Sequence, residues 1–172
     1  MVDVSVSLIL SLKLDQAMFD LFDRLRQQHF PTEKNFLSAH VTLFHKLPGE
    51  HEAEIQQTLH AYCSRTATLS LTCPSLRSLG QGVAVDVECE ALVQLRQQLA
   101  QNWHDYLSRQ DQQRYQPHIT IQNKVPRQAA QQLHNQLAHR WKPLMGRGEG
   151  LLLWYYRGGP WELVREFPFG LD

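Results

Sequence analysis

Two short passages of this sequence carry the same polar residues at the same spacing. The first, HVTLFHKLP, runs from His40 to Pro48, and the second, HITIQNKVP, runs from His118 to Pro126, 78 residues later. Both begin His-x-Thr-x with aliphatic residues at the variable positions, a composition that favours a short β-strand. Because side chains alternate between the faces of a strand, the histidine and the threonine of each passage should share one face.

Two such polar faces brought together would form a site suited to chemistry on a phosphate group. The pKa of an unperturbed histidine is about 6.5, so one imidazole can be neutral while the other is charged. His40 and His118 could then supply one general base and one general acid, each worth on the order of 10²–10⁴-fold in rate. The hydroxyls of Thr42 and Thr120 could hold the phosphate oxygens. This chemistry needs no metal ion and no covalent intermediate.

On these residues the chain resembles the 2H phosphoesterase superfamily, which includes the 2'-5' RNA ligase-like proteins and the RNA 2',3'-cyclic phosphodiesterases. That family is defined by two His-x-Thr/Ser-x motifs in two related lobes. The resemblance implies that His40 and His118 are catalytic, that Thr42 and Thr120 bind phosphate, and that no cofactor is required. The implied reaction opens a 2',3'-cyclic phosphate of a nucleotide or RNA end to a 2'-phosphate. The same site run in reverse could join RNA ends.

The residues after the second motif depart from the family pattern. An arginine often follows that motif in the RNA-ligase-like relatives, whereas this chain has Gln122-Asn123-Lys124. The departure argues against a long RNA substrate. Lys46 and Lys124 stand six residues after their histidines, so they are either cations that flank the phosphate or solvated surface lysines.

Aromatic residues near the motifs are candidates for stacking on a nucleobase, a contact worth about 1–3 kcal/mol. Phe44 lies two residues after Thr42 on the same predicted face, and Tyr115 precedes the second motif. Tyr155, Tyr156 and Trp161 either contribute to this surface or pack within a hairpin. All of these aromatic positions are hypotheses for substrate binding.

Composition limits the classes of function. The chain has 172 residues with 42% hydrophobic residues, which is enough for one domain or two small lobes that share a core. Lys and Arg together number 17, as do Asp and Glu. This balance disfavours nonspecific coating of nucleic acid but permits a small phosphate ligand or an RNA end.

Nothing in the sequence predicts a disulfide framework, a metal site or a membrane span. The three cysteines are odd in number and widely spaced, which indicates reduced thiols: Cys63, Cys73 and Cys89. Seven further histidines lack partners at ligand spacing and are interpreted as surface or packing residues: His29, His45, His51, His60, His104, His134 and His139. The start of the chain lacks a signal-peptide pattern and its apolar run is short, so we expect a cytoplasmic protein. No protein partner is indicated, and a monomer is expected.

The order of elements repeats. Apolar periodicity predicts strand, helix, motif strand, helix and strand, twice over, in approximate repeats 4–79 and 83–167. The predicted strands are Val4–Leu12, Ala39–Phe44, Ala67–Cys73, Leu76–Leu79, Val83–Val87, the second motif, Leu151–Tyr156 and Trp161–Phe167. The pattern indicates a tandem duplication. It predicts a single bilobal α+β domain over 1–172, with pseudo-symmetric lobes whose antiparallel-rich sheets flank a central cleft and whose helices lie outside.

Other functions fit the same residues. One alternative is a phosphodiesterase acting on another small cyclic or nucleotide-derived phosphoester. A second is a module that binds nucleotides without turning them over, although a matched acid and base would serve no purpose there. A third, more remote, is a structural protein whose lobes hold a partner.

Overall fold

The computed structural model describes residues 6–171, so Val4 and Ser5 of the first predicted strand lie outside the described part. The structure is of the expected α+β class and alternates helices with antiparallel strands. In chain order the main elements are β1 (Ser7–Leu14), α1 (Gln16–His29), β2 (Val41–Pro48), α2 (Glu52–Cys63), β3 (Leu69–Cys73), β4 (Leu76–Ser78), β5 (Val83–Asp86), α3 (Glu90–Asn102), β6 (His118–Gln122), α4 (Arg127–Ala138), β7 (Leu144–Tyr156) and β8 (Glu162–Pro168).

These strands form two sheets in which every pairing between named strands is antiparallel. The larger sheet has the order β2-β1-β7-β3, and β8 pairs with β7 as a hairpin. The smaller sheet has the order β4-β5-β6. The motif strands β2 and β6 are therefore both edge strands, one in each sheet.

Each sheet combines strands from both halves of the chain. Strand β7, from the second half, lies between β1 and β3 of the first half, while β4 of the first half pairs with β5 of the second. Helix α1 also crosses over, because it packs against β6. The sequence repeats therefore do not each close into a sheet of their own.

Local sequence explains where the elements begin and end. Asp15 caps α1 by accepting a hydrogen bond from the Met18 amide at 2.9 Å, and the helix ends before Pro31.

Strand β7 begins at Leu144, seven residues before the expected Leu151. The added segment contains alternating glycines that let other side chains approach closely, since a Cβ on Gly148 would lie 2.8 Å from the Leu12 side chain.

Both motif strands contain a β-bulge directly after the threonine. Ser11 pairs with Thr42 and Leu10 pairs with Phe44, which leaves Leu43 as an extra residue. The second motif repeats this feature, because Ala84 pairs with Thr120 and Val83 pairs with Gln122. A bulge disrupts the hydrogen-bond ladder locally and changes which face the following side chains occupy.

Two buried arginines bind carbonyls at these bulges. Arg26 of α1 is 4% exposed and donates from Nη1 to the Thr120 carbonyl at 2.9 Å. Arg96 of α3 is 7% exposed and donates from Nε to the Leu43 carbonyl at 3.1 Å. Each arginine thus comes from one half of the chain and fixes the motif strand of the other half.

Replacing Arg96 by methionine should destabilise the protein. The change removes the bond to Leu43 and a second bond, 2.6 Å long, from Nη2 to the Asp111 carbonyl. Buried acceptors left unpaired cost about 1–3 kcal/mol each, so we expect a loss of about 2–4 kcal/mol in the free energy of unfolding, measured by urea denaturation. Arg24→Met, at an exposed position on α1, is the control and should change stability by less than about 0.5 kcal/mol. Equal stability of Arg96→Met and wild type would show that the Arg96 hydrogen bonds do not stabilise the motif strand.

Candidate active site

The two motif histidines are held in the same way. His40 Nδ1 lies 2.8 Å from the Ser38 carbonyl, and His118 Nδ1 lies 2.8 Å from the Gln116 carbonyl. Because a carbonyl oxygen can only accept, each Nδ1 carries the proton in the neutral ring. Each Nε2 is then the nitrogen that can accept or deliver a proton.

The motif residues line two cavities that adjoin at a shared residue. The larger cavity, about 620 Å³, contains His40 of the first motif and Thr120 of the second. The smaller, about 270 Å³, contains Thr42 of the first motif and His118 of the second. His45 lines both cavities. Each cavity therefore combines a histidine from one motif with a threonine from the other.

Burial lowers the pKa of His40 from 6.5 to about 4, because it disfavours the charged imidazolium. The hydrogen bond to Ser38 opposes this shift, while the positive charges of Arg26, His118 and His45 add to it. His40 is therefore neutral at pH 7. The influence of His118 on His40 acts between residues that are 78 positions apart in the chain.

Burial also lowers the pKa of His118, and the bond to the Gln116 carbonyl opposes that shift. Three further charges act on this ring, since Arg77 and His45 lower its pKa and Asp86 raises it. Arg77 and Asp86 form an ion pair with a shortest distance of 2.7 Å. His118 thus has a carboxylate nearby, whereas the charges that act on the His40 pKa are all positive.

Both motif threonines are half-buried in β2 and β6. Within residues 6–171 neither hydroxyl is hydrogen-bonded to another protein group. Their backbone carbonyls are engaged, since the Tyr115 hydroxyl donates to the Thr42 carbonyl at 2.9 Å and Arg26 donates to the Thr120 carbonyl. The strands are therefore fixed through their backbones, and the side-chain hydroxyls remain available to a ligand.

The expectation that Phe44 contacts substrate is wrong. Its side chain is 0% exposed, packs edge-on against Trp103 with ring centroids 5.1 Å apart, and lies beneath the Arg96 guanidinium. The bulge at Leu43 is the physical reason, because the extra residue breaks the alternation that would have placed Phe44 beside Thr42.

The two lysines do not form a matching pair around the site. Lys124 lines the larger cavity with His40. Lys46 lines a separate cavity with Tyr106, which favours the alternative of a surface lysine. The asymmetry follows from β2, which continues to Pro48, whereas β6 ends at Gln122.

Of the other aromatic candidates, Trp161 packs against the first motif histidine. Its ring centroid is 4.6 Å from that of His40, and it lines both the larger cavity and a third one of about 380 Å³. Tyr156 lines the larger cavity, and Tyr115 lines the smaller one with its hydroxyl bound to Thr42. Tyr155 instead donates its hydroxyl to Glu52 at 2.7 Å.

Two residues at the site were not predicted as functional. The sequence indicates a surface or packing residue at His45, and Asp111 falls in a polar loop without periodicity. The spacing of 78 residues pairs His45 with Asn123, which also lines the larger cavity, and this correspondence is the one signal that could have indicated His45. No comparable pattern points to Asp111.

Among the described residues, no group of three or more His, Cys, Asp or Glu side chains is arranged to hold a metal ion. In the same part of the chain, no helix has the length and apolar character needed to cross a membrane.

Comparison with solved structures identifies the fold. TT0787 of Thermus thermophilus is similar with a TM-score of 0.67 and 16% identity, over 96% of this chain and 99% of that one. E. coli LigT complexed with 3'-AMP gives 0.59 and 15%, over 96% and 98%. Kluyveromyces marxianus Usb1 with uridine monophosphate gives 0.54 and 15%, over 98% and 100%. At these identities the similarity is one of fold.

Sequence comparison identifies the family. No curated protein sequence is significantly similar to this chain. The sequence model of the 2'-5' RNA ligase superfamily, however, matches residues 14–160. This match spans most of the chain and confirms the resemblance noted from the two motifs, so the chain belongs to the 2'-5' RNA ligase superfamily of 2H phosphoesterases.

Proposed function

We propose that this protein is a metal-independent phosphodiesterase that opens 2',3'-cyclic phosphates of nucleotides or RNA ends to 2'-phosphates. The observation that carries the proposal is that the two histidines have the same hydrogen bonding. Each Nδ1 donates to a carbonyl two residues earlier, which leaves each Nε2 for proton transfer, and each histidine shares a cavity with a threonine of the opposite motif.

The electrostatic surroundings favour one division of roles. His40, neutral and surrounded by positive charges, accepts a proton from the attacking water. The oxygen of that water forms a bond to phosphorus, and the bond from phosphorus to the ribose 3' oxygen breaks. Burial lowers the pKa of His118 and Asp86 opposes that shift, so His118 is the group that donates its proton to that oxygen. The products are a 2'-phosphate and a 3'-hydroxyl.

A nucleotide substrate is supported by the cavity of about 380 Å³, which is lined by His40 and mostly by apolar residues. Its lining includes Phe19, Phe36, Trp154 and Trp161, which offer aromatic surface to a base. The structures of similar fold that contain 3'-AMP and uridine monophosphate are consistent with this substrate class. The charge balance of the whole chain favours a small substrate or an RNA end over a long RNA.

Product analysis tests the proposal directly. The protein should be incubated with the four 2',3'-cyclic mononucleotides, a cyclic-phosphate dinucleotide and a non-ribose cyclic phosphate, with and without EDTA. We expect 2'-phosphates from the ribose substrates in both conditions. Turnover of the non-ribose ester alone would favour a different phosphodiesterase. Tight nucleotide binding without any product would favour a binding module.

His40→Ala and His118→Ala should each remove most turnover. The double variant should be scarcely slower than either single variant, because acid and base act as one unit. The measurement is kcat at saturating 2',3'-cyclic nucleotide, and His134→Ala, on α4 and outside the described cavities, is the control. A near-wild-type kcat in either single variant would exclude the two-histidine mechanism.

Thr42→Val and Thr120→Val should each lower kcat/KM by roughly tenfold to a hundredfold. A hydrogen bond to a charged group is worth about 1.5–3 kcal/mol, and about 1.4 kcal/mol corresponds to a factor of ten. Valine keeps the branched shape of threonine, so Tm should change little. Full activity in both variants, or a large fall in Tm, would remove the hydroxyls from the phosphate site.

The kcat/KM profile should peak at acidic pH. The base must be neutral, and the pKa of His40 is about 4, so activity rises as pH increases through that value. The acid must be protonated, and the pKa of His118 is lowered from 6.5, so activity falls as pH increases through a value below 6.5. Asp86→Asn should move this alkaline limb to still lower pH. An alkaline limb above pH 7 in the wild type would contradict the assignment.

A further inference from the structure

The imidazole of His45 occupies the junction of the two motif cavities. It is the residue that lines both the cavity of His40 and Thr120 and the cavity of Thr42 and His118. Its side chain is 45% exposed, so solvent and ligands can reach it. Its electrostatic influence lowers the pKa of both motif histidines.

A buried carboxylate holds this ring in place. Asp111 has a side-chain exposure of 0%, and its Oδ1 lies 3.2 Å from His45 Nδ1. The same carboxylate accepts hydrogen bonds from the backbone amides of His45, at 2.8 Å, and Lys46, at 2.9 Å. Burial alone would raise the pKa of Asp111, but the hydrogen bonds from His45 and Lys46 outweigh burial and lower it. Asp111 is therefore an anion.

The orientation of His45 follows from that contact. An ionised carboxylate only accepts hydrogen bonds, so Nδ1 of His45 donates to Asp111 and Nε2 is left for a ligand. The arrangement leaves one ring nitrogen of His45 for a ligand at the junction of the two motif cavities.

A purely structural role of Asp111 does not account for its contact with the His45 imidazole. Asp111 already fixes β2 through the two backbone amides, and that function needs no imidazole. Arg96 separately ties the Asp111 carbonyl to α3 at 2.6 Å. Asn123, at the matching position of the second motif, lines the larger cavity as well, so both motifs place a hydrogen-bonding side chain beyond the bulge.

We propose that His45 is a third substrate-binding group, whose Nε2 forms a hydrogen bond with a non-bridging oxygen of the phosphate that lies between His40 and His118. Asp111 is its positioning residue. This inference rests on the proposed function in placing a phosphate between the motifs, but it specifies a ligand contact and requires no turnover. The favoured ligands are phosphate esters that carry a negative charge on their non-bridging oxygens.

Inorganic phosphate is the probe that separates this inference from the proposed function, because it can bind whether or not cyclic nucleotides are hydrolysed. The variant is His45→Asn, which gives position 45 the residue found at position 123 and leaves the backbone bonds to Asp111 in place. The control is His60→Asn, at an exposed position on α2 outside both motif cavities. Thermal unfolding verifies that both variants are folded.

We expect His45→Asn to raise the Kd for inorganic phosphate, measured by calorimetry at pH 6, by roughly tenfold to a hundredfold. His60→Asn should stay within about twofold of the wild type. With a 2',3'-cyclic nucleotide, KM of His45→Asn should rise by a similar factor while kcat changes much less, as expected for uniform binding. Asp111→Asn should weaken phosphate binding in the same direction if it folds, and His45→Asn decides the question if it does not.

Wild-type phosphate affinity in His45→Asn would overturn the inference, as would a wild-type protein that binds no phosphate. Phosphate binding that depends on His45, in a protein that leaves every cyclic nucleotide intact, would support the inference and reject the proposed function. A fall in kcat at unchanged KM and unchanged phosphate affinity would also overturn it, since His45 would then act on the reaction without binding the ligand.

Discussion

The site depends on buried guanidinium groups that reach across the molecule. The motif strands are edge strands with a bulge after each threonine, so some of their backbone carbonyls lack partners in the ladder. Arg26 and Arg96 satisfy carbonyls at these bulges from the opposite half of the chain. A buried carbonyl without a donor is costly, so the arginines allow the edges beside the cavities to remain free of a further strand.

The two nearly identical motifs have different electrostatic surroundings, because their neighbours differ. The bonds that orient His40 and His118 are alike in atom, length and sequence offset. Only His118, however, is influenced by a carboxylate, that of Asp86, while the charges that act on His40 are all positive. Burial lowers the pKa of both histidines, and a carboxylate opposes that shift at His118 alone.

Periodicity predicted much of the fold, because apolar residues at periods of 2 and 3.6 follow directly from which faces are buried. The class, the order of elements and the four polar residues of the motifs could all be anticipated in this way, although the roles of those four residues stay predictions. The misplacement of Phe44 and the omission of Asp111 have physical causes. A β-bulge cannot be recognised from the sequence, so the strand face expected for the residues after it is wrong. In a polar loop, a buried acidic residue cannot be distinguished by sequence from a solvated one. The predicted range of β7 was too short because glycine has a low strand propensity. In the structure, the glycines of β7 leave room for the side chains of neighbouring elements.

The exchange of strands between the halves has a consequence for the order of folding. During synthesis β1 and β2 are made first, but β1 has its second neighbour only once β7 has been made, more than 130 residues later. Closing such a loop costs conformational entropy before its contacts contribute, which slows folding. The nascent first half therefore exposes an apolar, unpaired edge for most of translation. A chaperone that shields this edge would affect the yield of the protein more than its final stability.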